Sequence, residues 1–284
     1  MSAQWLYAQS IEKKLQVSLA TGYQQENFHW SIAGNSNGQN PNVYSELKWQ
    51  HVGGQTINAT AQWNVWKRFS LYADYSKQFI LSGTVTDTDY GADNRSNATY
   101  HETFNADKGN TQSWNAGAGF ILFNDALFSL IPYAGYGISK QSLHLFDRSG
   151  NFPELNSTYQ ASWKGPFIKV TSSIWIIQQL KFVADVTYNQ VSYNANANWN
   201  LIQTFQHPVS YRHHANGYGI NAGGQFVYAV YHYLSVHAGG GYFSWKTGSG
   251  TDELYLKSGE TDKTQLNEAV RNGFNLQGGL SLAF

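Results

Sequence analysis

Asp87 and Asp89 are the residues whose type and spacing could do chemistry. They lie in residues 83–90, GTVTDTDY, and side chains two apart on an extended chain share a face. Two such carboxylates can hold a water molecule. Carboxylates titrate well below neutrality unless strongly perturbed, so activating that water at pH 7 calls for an imidazole. The candidates further along are His207, His213 and His214. His213 and His214 are adjacent, and adjacent strand residues point to opposite faces, so they cannot chelate one ion together. No metal site is expected. The simplest alternative for Asp87 and Asp89 is a solvated pair in a polar loop.

The elements that must position these groups are strands. Residues 273–284, GFNLQGGLSLAF, alternate apolar or tiny residues (Phe274, Leu276, Gly278, Leu280, Leu282, Phe284) with Asn275, Gln277, Gly279, Ser281 and Ala283. A period of two makes a strand with one greasy face. A strand ending on Phe284 fits a membrane barrel, whose terminal aromatic sits in the interfacial girdle. Such an ending resembles the sorting signal of bacterial outer-membrane barrels, which implies the barrel-assembly machinery as a partner through Phe284.

Composition agrees. The 284 residues hold 18 basic and 18 acidic side chains, which leaves no global field for nucleic acid, and no nucleic-acid partner is expected. There is no Cys, which excludes disulfide scaffolds and thiolate metal sites. Aromatics make up 16%, with 19 Tyr and 10 Trp, as girdles of Tyr and Trp would require. No run of 18 apolar residues exists, so helical membrane spans are excluded. Residues 1–4, MSAQ, lack a charged and apolar leader, and the chain is read as a mature form with an added Met.

Ten strands are predicted, near residues 14–32, 43–65, 69–81, 112–122, 127–145, 158–176, 180–188, 210–228, 234–242 and 273–284. Short turns, such as that at residues 66–68, alternate with long polar loops at 34–42, 82–110, 146–156, 196–208 and 246–265. That asymmetry is the outer-membrane pattern, with short turns in the periplasm and long loops outside. The fold class is therefore all-β, a ten-stranded antiparallel transmembrane β-barrel forming one domain over residues 1–284. On the second strand Leu47, Trp49, Ile57 and Trp63 share one parity. Leu15, Val17, Leu19, Leu71, Ala73, Phe182, Ala184, Leu280 and Leu282 are expected on the lipid face. Tyr72, Asp74, Gln78, Asp185 and Asn189 are expected inside, as a hydrogen-bonded plug that argues against a wide pore. A monomer is expected, bound by outer-membrane lipid.

Several stretches together resemble the omptins, ten-stranded outer-membrane endopeptidases. They are residues 46–49 and 54–68, then Gly83 with Asp87, Asp89 and Tyr90 after the third strand, then residues 131–140 (IPYAGYGISK), 159–170 (YQASWKGPFIKV) and 184–188. The resemblance implies that Asp87 and Asp89 form one half of a catalytic site facing an Asp-x-His pair across a cleft, with no cofactor. A gapless alignment from Tyr188 puts that pair at Asn198 and Asn200, and Asn cannot act as a base. The expected role is therefore surface binding or envelope structure through the outer loops. The alternatives are an endopeptidase in which His207 or His213 reaches Asp87 and Asp89, and a small-solute channel. The resemblance also implies a lipopolysaccharide site on the outer wall at Tyr136, Lys140, Lys164 and His214, with Ile138 and Ser162 at positions that are acidic and Arg in the family. Lysine can meet lipid phosphate as a point charge.

Overall fold

In the computed structural model of the chain, residues 14–284 are described. The reading of residues 1–4 lies outside them. Thirteen antiparallel strands form one closed sheet. They are β1 (Leu15–Ile32), β2 (Ser45–Trp66), β3 (Phe69–Ala92), β4 (Ser96–Asn105), β5 (Gly109–Phe120), β6 (Phe123–Asn124), β7 (Phe128–Phe146), β8 (Asn156–Ile177), β9 (Leu180–Asn198), β10 (Tyr211–Ala229), β11 (Leu234–Thr247), β12 (Gly250–Tyr255) and β13 (Thr261–Ala283). β4 and β5 run end to end along β3, and β11 and β12 run end to end between β10 and β13. The ring therefore has ten staves. It closes where β1 pairs with β13, from Gln16 opposite Ala283 to Ile32 opposite Leu266. Closure satisfies every ladder and leaves no edge in lipid.

Alternation sorts the two faces. Leu15, Val17, Leu19, Leu71, Leu280 and Leu282 are exposed on the outside. Ala73 and Phe182 follow the same parity, and Phe182 packs on the outward Phe226 ring. Asp74 and Asp185 line the lumen. An outer girdle of Tyr23, Trp114, Tyr136, Tyr188, Tyr218 and Tyr242 bounds the apolar belt on one side. Trp63, Trp66, Phe69, Phe123 and Tyr233 bound it near the short turns. From Leu15 to Tyr23 is eight steps, which at ~3.3 Å each and a ~40° tilt is about 20 Å, most of the ~25 Å height of a lipid belt.

The strands continue far beyond the outer girdle, and here the simple parity fails. Strict alternation along β2 would put Leu47 and Trp49 on the lipid face with Ile57. Both are instead buried in the lumen, at 1% exposure. The register slips between Gln50 and Gly53, with His51 at φ 53°, and this bulge flips the face of everything beyond it. β3 slips in the same region, where Gly83 has φ 146°. Below the slip the even-numbered Tyr72, Asp74 and Gln78 face in; above it Val85 faces in. The predicted loops 82–110 and 246–265 are largely strand: β3 with β4, and β12 with β13, form tall hairpins in the collar.

The lumen has three levels. Nearest the periplasm is a cavity of about 2150 Å³, ringed at its mouth by turn residues such as Lys67, Asp125 and Gln178. Above it lies a polar layer. The Gln24 and Gln78 amides bond to each other, Thr111 donates to Gln78, and Gln141 bridges Glu26 and the Trp163 indole. The Arg271 guanidinium joins Glu26 at 2.5 Å and Ser139 at 2.7 Å. Above that, Phe28, Trp49, Tyr159, Trp163 and Tyr193 fill the collar as an aromatic core. The expected plug is therefore present in Gln78 and Asn189, both buried, whereas Tyr72, Asp74 and Asp185 line open space. They line it because the staves next to Asp185 carry bare glycine at the same level, Gly223 opposite Asp185 in register and Gly241 opposite Gly223.

Candidate functional site

Asp87 and Asp89 lie on β3 rather than in a loop. Asp87 stands opposite the lumenal Leu47 and opposite Glu102, and Asp89 stands opposite Ser45 and Tyr100. The Gly83 irregularity is what aims them inward, since the parity of Asp74 would have turned them out. The Asp87 Oδ1 is shielded from solvent and has no hydrogen-bond partner. Burial, reinforced by the neighbouring Asp89 charge, pushes Asp87 up to about 8. Burial also raises Asp89, against a Ser45 hydrogen bond that lowers it. Tyr100 is pushed up to about 12 by burial and then by the charges of Asp87, Glu102 and Asp89.

What shares the outer lumen with this acidic wall is Tyr211, from β10. Its hydroxyl is buried and unpartnered, and burial, then the Asp87 charge, drive its pKa far upward. Its ring packs against Trp30, Trp199 and His213. His213 faces the same way but is 2% exposed. Its Nδ1 pairs with the Tyr159 hydroxyl at 2.7 Å, which pairs in turn with Tyr193 at 2.6 Å. Its Nε2 lies 3.1 Å from the Asp252 carboxylate on β12 without the alignment of a hydrogen bond. Trp30 lies edge-on against the imidazole, with ring centres 4.8 Å apart. The imidazole is thus enclosed in the aromatic core.

The other predicted positions fall elsewhere. Asn198 alternates with the buried Ala197 and so points away from the lumen, where its Oδ1 pairs with His207 Nδ1 at 2.7 Å. Asn200 is a loop tie: its Oδ1 accepts from the Asn156 amide and Ser157, and its Nδ2 donates to the Glu154 carbonyl. Asn198 and Asn200 therefore do not enter the outer lumen, whereas Tyr211 lies within reach of the Asp87 and Asp89 charges. Sequence reading missed Tyr211 because nothing in the stretch YRHH distinguishes an inward aromatic from a girdle anchor. The periplasm-facing cavity does not reach Asp87 or Asp89. Among the described residues no group of three or more His, Cys, Asp or Glu is placed to hold a metal ion.

Tyr136, Lys140, Lys164 and His214 all point outward and are exposed. Register joins them across four staves. Lys140 stands opposite Ser162, Ser162 opposite Asn194, and Asn194 opposite His214, whose Nδ1 pairs with Asn194 at 2.9 Å. Lys164 is two residues from Ser162 and opposite Ile138, and so lies diagonally beside Lys140, about 7–8 Å away between backbones. The patch sits just outside the girdle residue Tyr136.

Fold and site together define an outer-membrane β-barrel of omptin-like architecture. The outer membrane protease OmpT from Escherichia coli matches with a TM-score of 0.75 at 15% identity, over 95% of this chain and 97% of that one. The translocator domain of the autotransporter NalP from Neisseria meningitidis gives 0.41 at 12% identity, over 95% and 88%. The outer membrane protein OprG from Pseudomonas aeruginosa gives 0.41 at 9%, over 96% and 97%. No curated protein matches the sequence. The chain belongs to the family described as Pom, Protochlamydia outer membrane protein, whose model matches residues 18–284. It is an outer-membrane protein.

Proposed function

We propose that this barrel is not a peptidase and acts as a surface-binding or envelope-structural protein of the outer membrane. The observation that carries the reading is the occupant of the outer lumen. Hydrolysis by two carboxylates needs a water, a base and room for a peptide. Here Tyr211 and Trp30 pack on the His213 ring, whose Nδ1 is engaged by Tyr159 and whose Nε2 lies against Asp252. A carboxyl held near 8, as Asp87 is, is mostly protonated at pH 7 and is a poor base there. The patch of Lys140, Lys164 and His214 beside Tyr136 supports contact with phosphorylated lipid headgroups at the outer leaflet. The test is the thermal unfolding of the purified barrel with and without lipopolysaccharide. Stabilisation lost in a Lys140→Ala, Lys164→Ala double variant supports the lipid contact, and equal stabilisation of both forms removes it.

A second reading is favoured by the same shifted Asp87. A protonated and an ionised carboxyl side by side are the groups of an acid–base pair, so an endopeptidase built on Asp87 and Asp89 is the alternative. It requires Tyr211 to move aside for substrate.

A further inference from the structure

We propose that the periplasm-facing cavity binds a neutral polyhydroxylated chain, an oligosaccharide or glycan strand. The site is independent of the outer collar and of the reading given above. The cavity's volume, about 2150 Å³, exceeds the ~300–1,000 Å³ of a small-molecule pocket, so it suits a chain segment. It ends blindly at Gln24, Thr111, Ser139 and Arg271, beneath the aromatic core, so its ligand comes from the periplasm.

Its shape comes from bulky and bare positions alternating around the ring. Tyr72 and Asp74 on β3, Lys169 on β8 and Asp185 on β9 form a charged belt. Lys169 Nζ is 3.0 Å from the Tyr72 hydroxyl and 3.4 Å from Asp185, and Asn115 donates to Asp74 at 3.0 Å. The Asp185 side chain is 32% exposed, and its contact with Lys169 leaves acceptor capacity facing the cavity. Beside it Gly223, the register partner of Asp185 on β10, presents no side chain, and a Cβ there would meet the Asp185 carboxylate at ordinary contact distance, 3.4 Å. The space between is bordered by amides and hydroxyls, among them Asn221, Asn275 and Ser113. The Tyr72 and Tyr133 rings, 5.4 Å apart, add an aromatic face.

Charge selects among ligand classes. Inside, Lys169 and Arg271 balance Asp74 and Asp185, and at the mouth Lys14, Lys67 and Lys181 stand with Asp125, so the interior draws neither a polycation nor a polyanion. An apolar ligand would cover Asp74, Asp185 and Asn275 without pairing them. A peptide recognised through its backbone would need an open sheet edge, which β1 and β13 close by pairing. A neutral chain of hydroxyls, each able to donate and accept, matches the remaining chemistry.

The experiment titrates the purified full chain in detergent with maltoheptaose, with chitotetraose and with a neutral Gly-Ser-Asn repeat peptide, read by calorimetry. Gly223→Leu and Ser113→Phe each fill the cavity from a different wall, and either decides the case if the other does not fold. Gly278→Leu adds the same bulk on the lipid face, where a Cβ meets only the His237 carbonyl at 3.7 Å. The expected result is binding of at least one oligosaccharide with a millimolar or tighter constant, weakened at least about tenfold by the filling variants and unchanged in Gly278→Leu. Absence of oligosaccharide binding up to about 10 mM overturns the proposal. So does binding that the filling variants leave intact, or binding of the peptide alone.

Discussion

The Tyr211 hydroxyl and the Asp87 Oδ1 share the outer lumen, both shielded from solvent and both without a hydrogen-bond partner. Two polar atoms held in that condition cost stability, and the cost depends on pH through Asp87.

The sign follows from the proton. Asp87 titrates near 8 in the folded barrel against an ordinary value of 3.8, so between those values the folded state keeps a proton that the unfolded chain has released. The Asp87 contribution is most favourable below about pH 4, declines as pH rises towards 8, and is flat above that. Asp87→Asn removes this slope and stabilises the barrel above pH 8 by about 1–3 kcal/mol. Urea unfolding in lipid vesicles at several pH values, variant against wild type, measures it. A variant less stable than wild type at pH 9 would show that ionised Asp87 is paired.

Tyr211→Phe deletes a buried hydroxyl that makes no hydrogen bond. Its stability should equal or exceed that of wild type by up to about 1 kcal/mol. A clear loss in the same unfolding assay would mean that the hydroxyl is engaged.

His213→Ala behaves in the opposite way. It strips the Tyr159 hydroxyl of its imidazole partner and leaves Asp252, 3% exposed, with the Thr264 hydroxyl but without the imidazole beside it. The expected cost is at least about 2 kcal/mol, with the β12 hairpin loosened first, visible as faster amide exchange across residues 250–264. An unchanged exchange pattern would contradict the role given to His213.

Much of the barrel was legible because a lipid-facing stave can carry only a period of two. Leu15, Val17 and Leu19 opposite Leu282 and Leu280 are read off the sequence without knowing the fold. Leu19→Arg or Leu280→Arg should therefore cost about 2–4 kcal/mol near the bilayer midplane. Free tolerance of Arg at both would undo the assignment. The collar was not legible. One extra residue near His51 and another near Gly83 invert the faces of β2 and β3, and a bulge leaves no mark in hydropathy. Trp49 shares its sequence parity with the lipid-facing Ile57 and is a core residue. Asp87 and Asp89 read as residues of a polar loop because the hairpin that carries them is polar on its outer face. The cavity was hidden for a related reason: glycine at 223 and 241 reads as strand filler, yet it is what leaves the space.

The aromatic core also bears on conduction. Phe28, Trp49, Tyr159, Trp163 and Tyr193 are at most 1% exposed and fill the barrel above the cavity. Planar-bilayer recordings of wild type should show no steady conductance of porin size. A stable open level of that size would require the core to part and would favour the channel reading.

The most direct test of the account is peptide cleavage by the purified, refolded barrel in the presence of lipopolysaccharide, using fluorogenic peptides with paired basic residues at pH 5 to 8. A lumen packed by Tyr211 and Trp30, with His213 enclosed, predicts no cleavage above the rate of an Asp87→Asn, Asp89→Asn double variant. Robust cleavage by wild type that disappears in Asp87→Asn would contradict it.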